Sequence, residues 1–290
     1  MDAPKPAPQP SERPKRELVG NTADLWATQE RITVLIAGMP KGAGKTTLAI
    51  SATEPGQSTV VMACDLGRLS IPPNVDKSQV LVLPYQEVTR KLDGHGGSKP
   101  LKDIFNKITG DMYEVYLSVR DQKALTLAGG KEFPPPTNLV VDGLSRLNSM
   151  LVDGQCAMGS IDDPGDITKE QRFNFWGKRL RNMLTLVEQF ASLPCNVFMT
   201  TWIDAAKDSS GSPTGVWLPD VGGKMDLLTA GIVGAALLAY SRQGRFYVRT
   251  TADGIYPWCG VRDTYGLKAE VDVTIERKPG EKSPWRRIFE

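Results

Sequence analysis

The chain has 290 residues, 40% of them hydrophobic and 23% charged, with a formal net charge of +2. That length supports a sizeable core, and the balance is that of an ordinary globular protein without a basic field strong enough to announce nucleic acid. The single histidine, His95, stands between glycines, which removes Ser–His–Asp chemistry from consideration. The four cysteines (Cys64, Cys156, Cys195 and Cys259) are far apart and form no Cys-x-x-Cys pair. This argues against a zinc site or a disulfide framework and fits a reducing cytosol.

Residues 1–20 carry five prolines among mixed charges, the composition of a disordered arm. Its basic residues Lys5, Arg13, Lys15 and Arg16 read as a solvated segment or as contacts to an acidic partner. The arm has no apolar core of the signal-peptide kind, and the most apolar stretch, 227–240, is short of the roughly 20 residues that a bilayer span requires. No membrane association is expected, and that stretch reads as a buried element. Residues 32–37 form a short β-branched run ending at Gly38, a buried strand by pattern, and a helix is expected to begin at Thr46. Residues 58–64 and 79–83 read as further strands. Residues 101–127 have helical spacing for one or two helices, stopped by Pro134, Pro135 and Pro136. A strand over 138–141 ends in Asp142. Residues 168–193 predict a long amphipathic helix with Phe173, Trp176, Leu180, Leu184 and Val187 on its apolar face. Another strand is expected over 196–200, then a long Gly-, Ser- and Pro-rich loop over 205–224. Segments 234–240, 245–250 and 271–276 read as strands joined by turns. Alternating helices and continuously apolar strands predict an α/β fold, a mainly parallel sheet covered on both faces with an antiparallel C-terminal extension.

The chemistry concentrates at strand ends. The segment Gly38-Met-Pro-Lys-Gly-Ala-Gly-Lys-Thr-Thr47 follows a buried strand and opens a helix, the setting of a phosphate-binding loop. Gly38, Pro40, Lys41, Gly42, Ala43, Gly44, Lys45, Thr46 and Thr47 are expected to cradle ATP, with Lys45 reaching the β- and γ-phosphates and the Thr46 hydroxyl ligating Mg²⁺. The spacing departs from Gly-x-x-x-x-Gly-Lys-Thr at one place: Met39 stands where the first glycine belongs and Gly38 precedes it. Asp142 is expected to hold a magnesium-bound water beside Thr46. Asp65 is the candidate to orient an attacking water. Thr200 or Thr201, at a strand's carboxyl end, would sense the γ-phosphate or serve only as good strand residues. Lys207, Trp217 and Lys224 give the 205–224 loop a weak potential for gripping single-stranded nucleic acid.

The order of these segments resembles the phage-encoded RecA-like ATP-binding proteins, including those of single-strand annealing and recombination. The resemblance runs from about residue 31 to 267. It is carried by Gly42-Ala-Gly-Lys-Thr-Thr47, Val140-Val-Asp-Gly-Leu-Ser145, Trp176-Gly-Lys178, Leu193-Pro-Cys-Asn-Val-Phe-Met-Thr-Thr201, Leu218-Pro-Asp-Val-Gly-Gly-Lys224 and Arg262-Asp-Thr-Tyr-Gly-Leu267. It implies one RecA-like ATPase domain over 21–290, a homo-oligomer, single-stranded DNA as partner facing the 205–224 loop, and a place in the cytoplasm, that of the host for a phage protein. It also implies that Lys224 and Arg262 act across a subunit interface. The departures are Met39, Trp202 in place of histidine, an acidic pair reduced to Asp65 with Gly67 close by, Arg262 at a lysine position and Thr264 at an arginine position. They point to slow hydrolysis. Two other readings stay open: a nucleotide-gated assembly scaffold with little hydrolysis, and an ATP-driven nucleic-acid motor.

Overall fold

The computed structural model describes residues 31–65, 69–85, 101–127, 129–159, 165, 167–262, 267–275 and 283–289. The expected N-terminal arm, His95, Gly67 and Thr264 lie outside them. The strands are β1 (Thr33–Gly38), β2 (Thr59–Ala63), β3 (Val80–Pro84), β4 (Leu125–Thr126), β5 (Glu132–Phe133), β6 (Asn138–Asp142), β7 (Asn196–Lys207), β8 (Pro213–Asp220), β9 (Ala235–Arg242), β10 (Arg245–Arg249), β11 (Gly260–Val261) and β12 (Glu270–Asp272). The helices are α1 (Lys45–Ile50), α2 (Leu101–Asp121), α3 (Leu144–Gly159), α4 (Lys169–Ser192), α5 (Met225–Ile232) and α6 (Pro284–Phe289).

The main sheet has the order β12-β10-β9-β1-β7-β6-β2-β3, with β11 beside β9 and β8 beside β7. From β3 through β9 the neighbours on this path are parallel. Strands β8, β10, β11 and β12 are antiparallel to their partners. The fold is therefore α/β, a mostly parallel sheet flanked by helices with an antiparallel C-terminal part. β9 belongs to the parallel core and pairs directly with β1.

Strands β1, β2 and β6 are buried almost throughout because each of their faces meets a separate apolar layer. Side chains alternate across a strand. Leu35, Val141 and Met199 point to the layer formed with α2, α3 and α4, where Met112, Leu147 and Phe190 pack. Ile36, Val140 and Phe198 point to the layer formed with α1 and α6. There the Trp285 indole donates to the Leu48 carbonyl at 2.8 Å and its ring lies 4.8 Å from Phe198, which seats α6 against α1.

Three local expectations change. Of residues 101–127, only 101–121 are helical, as the one helix α2, and 125–126 leave it as strand β4 of a short β4–β5 pairing. Helix α4 exists as expected, but its inward face is Met183, Leu186, Val187 and Phe190, while Phe173 is 86% exposed. The first turns of α4 lie beyond the main layer: Phe175 joins a small cluster with Cys156 and Ile167 instead, and Trp176 lies beneath the Arg179 guanidinium at 5.1 Å. The 205–224 segment is not a loop. β7 runs on to Lys207 and returns as β8, an antiparallel hairpin whose turn is tied by Asp208 Oδ1 accepting the amides of Ser210 at 2.8 Å and Ser212 at 3.0 Å. The turn-forming residues 208–212 were visible in the composition, but they close a hairpin rather than fill a loop.

Candidate functional site

The site lies at the carboxyl ends of β1, β6 and β7, where side chains leave the sheet toward α1. Gly38 ends β1 against β9: a Cβ there would lie 2.4 Å from the Ala239 carbonyl oxygen. The glycine that the spacing seemed to misplace is thus fixed by a strand contact, and Met39 is left 50% exposed at the loop's start. Pro40 and Lys41 form the exposed outer edge of the loop. Gly42 and Gly44 have φ of 77° and 73°, the left-handed region closed to most side chains. Left-handed residues interleaved with others turn successive N–H groups into one concavity, an anion-binding arrangement.

Lys45 begins α1 and folds back over the loop. Its amine donates to the carbonyls of Met39 at 2.6 Å and Gly38 at 3.4 Å. Burial lowers its pKa, while the nearby charges of Asp65 and Asp142 act in the opposite sense. A cation held where burial disfavours it is a place where an anionic ligand gains.

Asp142 is the centre of the site. Its Oδ1 accepts the Thr46 hydroxyl at 2.6 Å and the Thr200 hydroxyl at 2.8 Å. Thr200 in turn accepts the Gly143 amide at 2.9 Å. β7 lies between β1 and β6, so Thr200 bridges the loop side and the carboxylate side. Thr201, one residue on, faces the opposite layer by strand alternation. Its hydroxyl meets Ser145 Oγ at 2.9 Å and donates to the Asp220 carbonyl at 3.1 Å. Of the two threonines, Thr200 touches the loop–carboxylate cluster and Thr201 connects it to β8.

Asp65 follows β2 and sits over Gly143, whose φ is 98° and whose absent Cβ would come 2.9 Å from the Asp65 carboxyl carbon. The Gly after Asp142 is therefore what admits the second carboxylate. Burial raises the Asp65 pKa and Asp142 raises it further; Lys45, the Trp202 indole and Arg146 pull it down. Trp202 and Arg146 are neighbours that the sequence reading did not assign to Asp65, since neither shares a motif with it. The ionised carboxylate is thus disfavoured in the fold. It costs stability once the pH exceeds the ordinary aspartate value, and the cost is complete above the raised native value. Asp65→Asn is expected to raise Tm at neutral pH, with the gain fading as the pH falls toward the ordinary aspartate range. Thermal melts of both proteins across pH check this, and an unchanged or lower Tm at neutral pH overturns it.

Lys224 and Arg262 are not part of this cluster. Lys224 is exposed and immediately precedes α5. Arg262 donates through its side chain to the Gly231 carbonyl near the other end of α5, so the two mark opposite ends of a helix about 12 Å long. Between Asp220 and α5, the amides of Val221 and Gly222 donate to Asp226 Oδ1 at 3.0 and 2.7 Å. Arg179, hydrogen-bonded to Asn148 at 2.8 Å, fills the space beside Gly222. Lys207 and Trp217 fall on the hairpin. Trp217 is half-buried, with its carbonyl accepting the Trp258 indole N–H at 2.7 Å.

A cavity of about 290 Å³ adjoins the loop, lined by Gly44 and Thr47, by Pro72 and Pro73, and by Phe246 and Val273 among others. Among the described residues, no cluster of three or more His, Cys, Asp or Glu side chains is arranged to hold a metal ion. Thr46 and Asp142 offer oxygen ligands, the chemistry of Mg²⁺, which is commonly held by one or two carboxylates together with nucleotide phosphates. Among the described residues no helix is long and apolar enough to cross a membrane.

No family model and no curated protein sequence matches the chain. Solved structures similar in fold include a crystal structure of the RadB recombinase, with a TM-score of 0.41 and 10% identity over 85% of this chain and 88% of that one.

Proposed function

We propose that this chain binds MgATP in the loop 38–47 and hydrolyses it slowly. The observation that carries the reading is the convergence of three strand ends: the Thr46 and Thr200 hydroxyls on one oxygen of Asp142, beside a glycine-rich loop spanned by the Lys45 amine. A loop of left-handed glycines that fits phosphate oxygens, a buried cation and a hydroxyl–carboxylate pair with hard oxygen ligands together suit a magnesium nucleotide.

In this reading the loop amides and Lys45 hold the β- and γ-phosphates. Thr46 and Asp142 would hold Mg²⁺ through their oxygens, with Asp142 orienting the Thr46 hydroxyl that it accepts. Bound Mg²⁺ supplies charge neutralisation on the phosphate oxygens. Asp65 orients the attacking water, its raised pKa bringing it nearer to what a general base requires. Thr200 positions Asp142, and Thr201 transmits the state of the site to Asp220 and β8. Lys224 and Arg262 act from a neighbouring subunit. Arg262 is held against its own α5, which supports slow rather than rapid turnover in the isolated chain.

The larger role rests on the resemblance of the sequence segments to phage RecA-like recombination proteins. It is that of one RecA-like domain over 21–290 with an N-terminal arm, assembling as an oligomer on single-stranded DNA in the host cytoplasm. The nucleotide-gated scaffold is the second reading, favoured by Thr264 at an arginine position and by the single acidic residue after β2.

Measuring ATP hydrolysis and oligomer size with and without single-stranded DNA at two salt concentrations tests these together. Slow turnover with salt-sensitive DNA binding and assembly is expected. ATP binding and assembly with negligible turnover identifies the scaffold. Strong DNA-stimulated turnover identifies a motor, and absence of DNA binding at low salt removes the recombination role.

A further inference from the structure

Helix α6 carries an inference about what sets the helix that opens at Lys45, and it rests on the MgATP reading above. Residues 283–289 lie beyond the stretch that carries the sequence resemblance. Helix α1 has six residues, too few to hold a helix in water without tertiary support. Its last turn also leaves carbonyls without helical donors. In a continuing helix the Leu48 carbonyl would accept the Ala52 amide, but that amide donates to Ala49 at 3.2 Å. The Ser51 hydroxyl reaches the Leu48 carbonyl at 2.6 Å, and the Trp285 indole N–H reaches it from α6 at 2.8 Å. The Ser51 carbonyl accepts the Ser283 hydroxyl at 2.9 Å. Two donors from residues 283–285 thus close the end of α1 opposite to Lys45.

The same side chain also reaches the sheet. Trp285 is buried, and its ring lies 4.8 Å from Phe198 of β7. Phe198 and Thr200 alternate with Met199 and so face the same layer. Trp285 therefore touches both the helix that carries Thr46 and the strand that carries Thr200, the two hydroxyls that meet on Asp142 Oδ1. Helix α6 is itself fixed from outside. Ser283 Oγ accepts the Trp285 amide at 3.3 Å, Arg286 pairs with Glu54 at 3.1 Å, and Arg287 donates to the Thr274 carbonyl at 3.0 Å. The Lys45 end of α1 is held separately, by the Met39 and Gly38 carbonyls of the loop.

We propose that Trp285 is a positioning residue for the magnesium site: its indole locks α1 to β7 and so sets the Thr46 hydroxyl against Asp142, without touching nucleotide or metal. Loss of the indole N–H lets α1 pivot about its Lys45 end. The loop and Lys45 then keep their hold on phosphate, while the oxygen pair that takes Mg²⁺ is displaced.

Calorimetric titration of the full chain with ATP, in Mg²⁺ and in EDTA, tests this on wild type, Trp285→Phe and Val115→Ala. The phenylalanine keeps an aromatic ring against Phe198 and loses the N–H. Val115 is buried in the layer on the other side of the sheet, so its variant controls for loss of stability alone. Trp285→Phe is expected to bind ATP in EDTA within about threefold of wild type. Its strengthening of ATP binding by Mg²⁺ should fall by roughly 3- to 10-fold, the scale of one lost hydrogen bond. Val115→Ala should keep the full Mg²⁺ response. In the ligand-free chain, hydrogen exchange read by NMR should quicken by a similar factor at the Leu48 and Ser51 amides in Trp285→Phe, beyond any change at Val61 of β2, which reports stability as a whole. A full Mg²⁺ response in Trp285→Phe overturns the proposal and leaves the nucleotide site standing. So does an equal loss in EDTA and in Mg²⁺, or a Val115→Ala protein that loses the response as much, since Trp285 then only supports the fold. Wild type that binds no ATP in either condition overturns the MgATP reading itself, and the exchange result still decides whether Trp285 holds α1.

Discussion

Lys45→Ala is expected to weaken MgATP binding by about 10- to 100-fold, the scale of a lost hydrogen bond to a charged group. Any hydrolysis should fall by about 10²- to 10³-fold, because the lost donor faces charge that develops in the transition state. The residue is only 7% exposed and its amine reaches across the loop to Met39 and Gly38, so no neighbouring lysine takes its place without rebuilding the loop. The same change is not expected to harm the fold. Burial lowers the Lys45 pKa, which means that the folded chain releases this proton more readily than the unfolded one. The cationic form therefore costs stability at neutral pH, and that cost disappears as the pH rises through the lowered native pKa toward the ordinary lysine value. Lys45→Met, which fills similar space without charge, is expected to melt at or above the wild-type temperature at neutral pH and to lose that advantage in strong alkali. Titration calorimetry and thermal melts read the two effects separately. A Lys45→Ala protein that binds ATP as tightly as wild type removes the nucleotide site.

Asp142→Asn and Asp142→Ala are expected to separate the chemistry of the carboxylate from its structural role. Asparagine retains an oxygen that accepts both the Thr46 and the Thr200 hydroxyls, the bonds that Oδ1 makes at 2.6 and 2.8 Å. Its Tm is expected to stay within about 3 °C of wild type. It carries no charge toward a divalent cation, so the strengthening of ATP binding by Mg²⁺ is expected to fall by about tenfold or more and turnover by about 10²- to 10³-fold. Alanine leaves Thr46 and Thr200 without that acceptor in a buried setting. It is expected to share the loss of Mg²⁺ response and also to cost about 1–3 kcal/mol of stability. Nucleotide titrations with Mg²⁺ and with EDTA, alongside denaturant melts, read both. If asparagine preserves the Mg²⁺ response, Asp142 is a structural carboxylate and the metal position lies elsewhere.

The local parts of this architecture were legible in the sequence because they depend on neighbours along the chain. A β-branched run followed by Gly42-Ala-Gly-Lys-Thr specifies strand, glycine turn and helix start within a few residues, and the apolar run into Asp142 specifies a buried strand with a carboxylate at its mouth. The alternation of such strands with helices was enough for the α/β class. Parts set by packing were read less well. The helix over 169–192 was evident from its period, but its inward stripe depended on where the sheet ends, which leaves Phe173 in solvent. Thr214 and Val216 lie on a strand opposite β7, and the turn residues before them made the whole segment look like a loop.

The sequence by itself determined the glycine-rich turn between β1 and α1 and the two strand-end carboxylates, since each follows from residues within one short segment, and the sheet type, which follows from the alternation of such segments. Only the tertiary structure decided the rest. Gly38 proved to be set by contact with β9, which lies some 200 residues away. Thr200 rather than Thr201 was chosen to hold Asp142 because β7 inserts between β1 and β6 and alternation turns one hydroxyl to each face. Phe246 came to stand over Gly44 because β10 closes the sheet beside β9. Strand order and facing are properties of non-local pairing, and no window of sequence contains both partners.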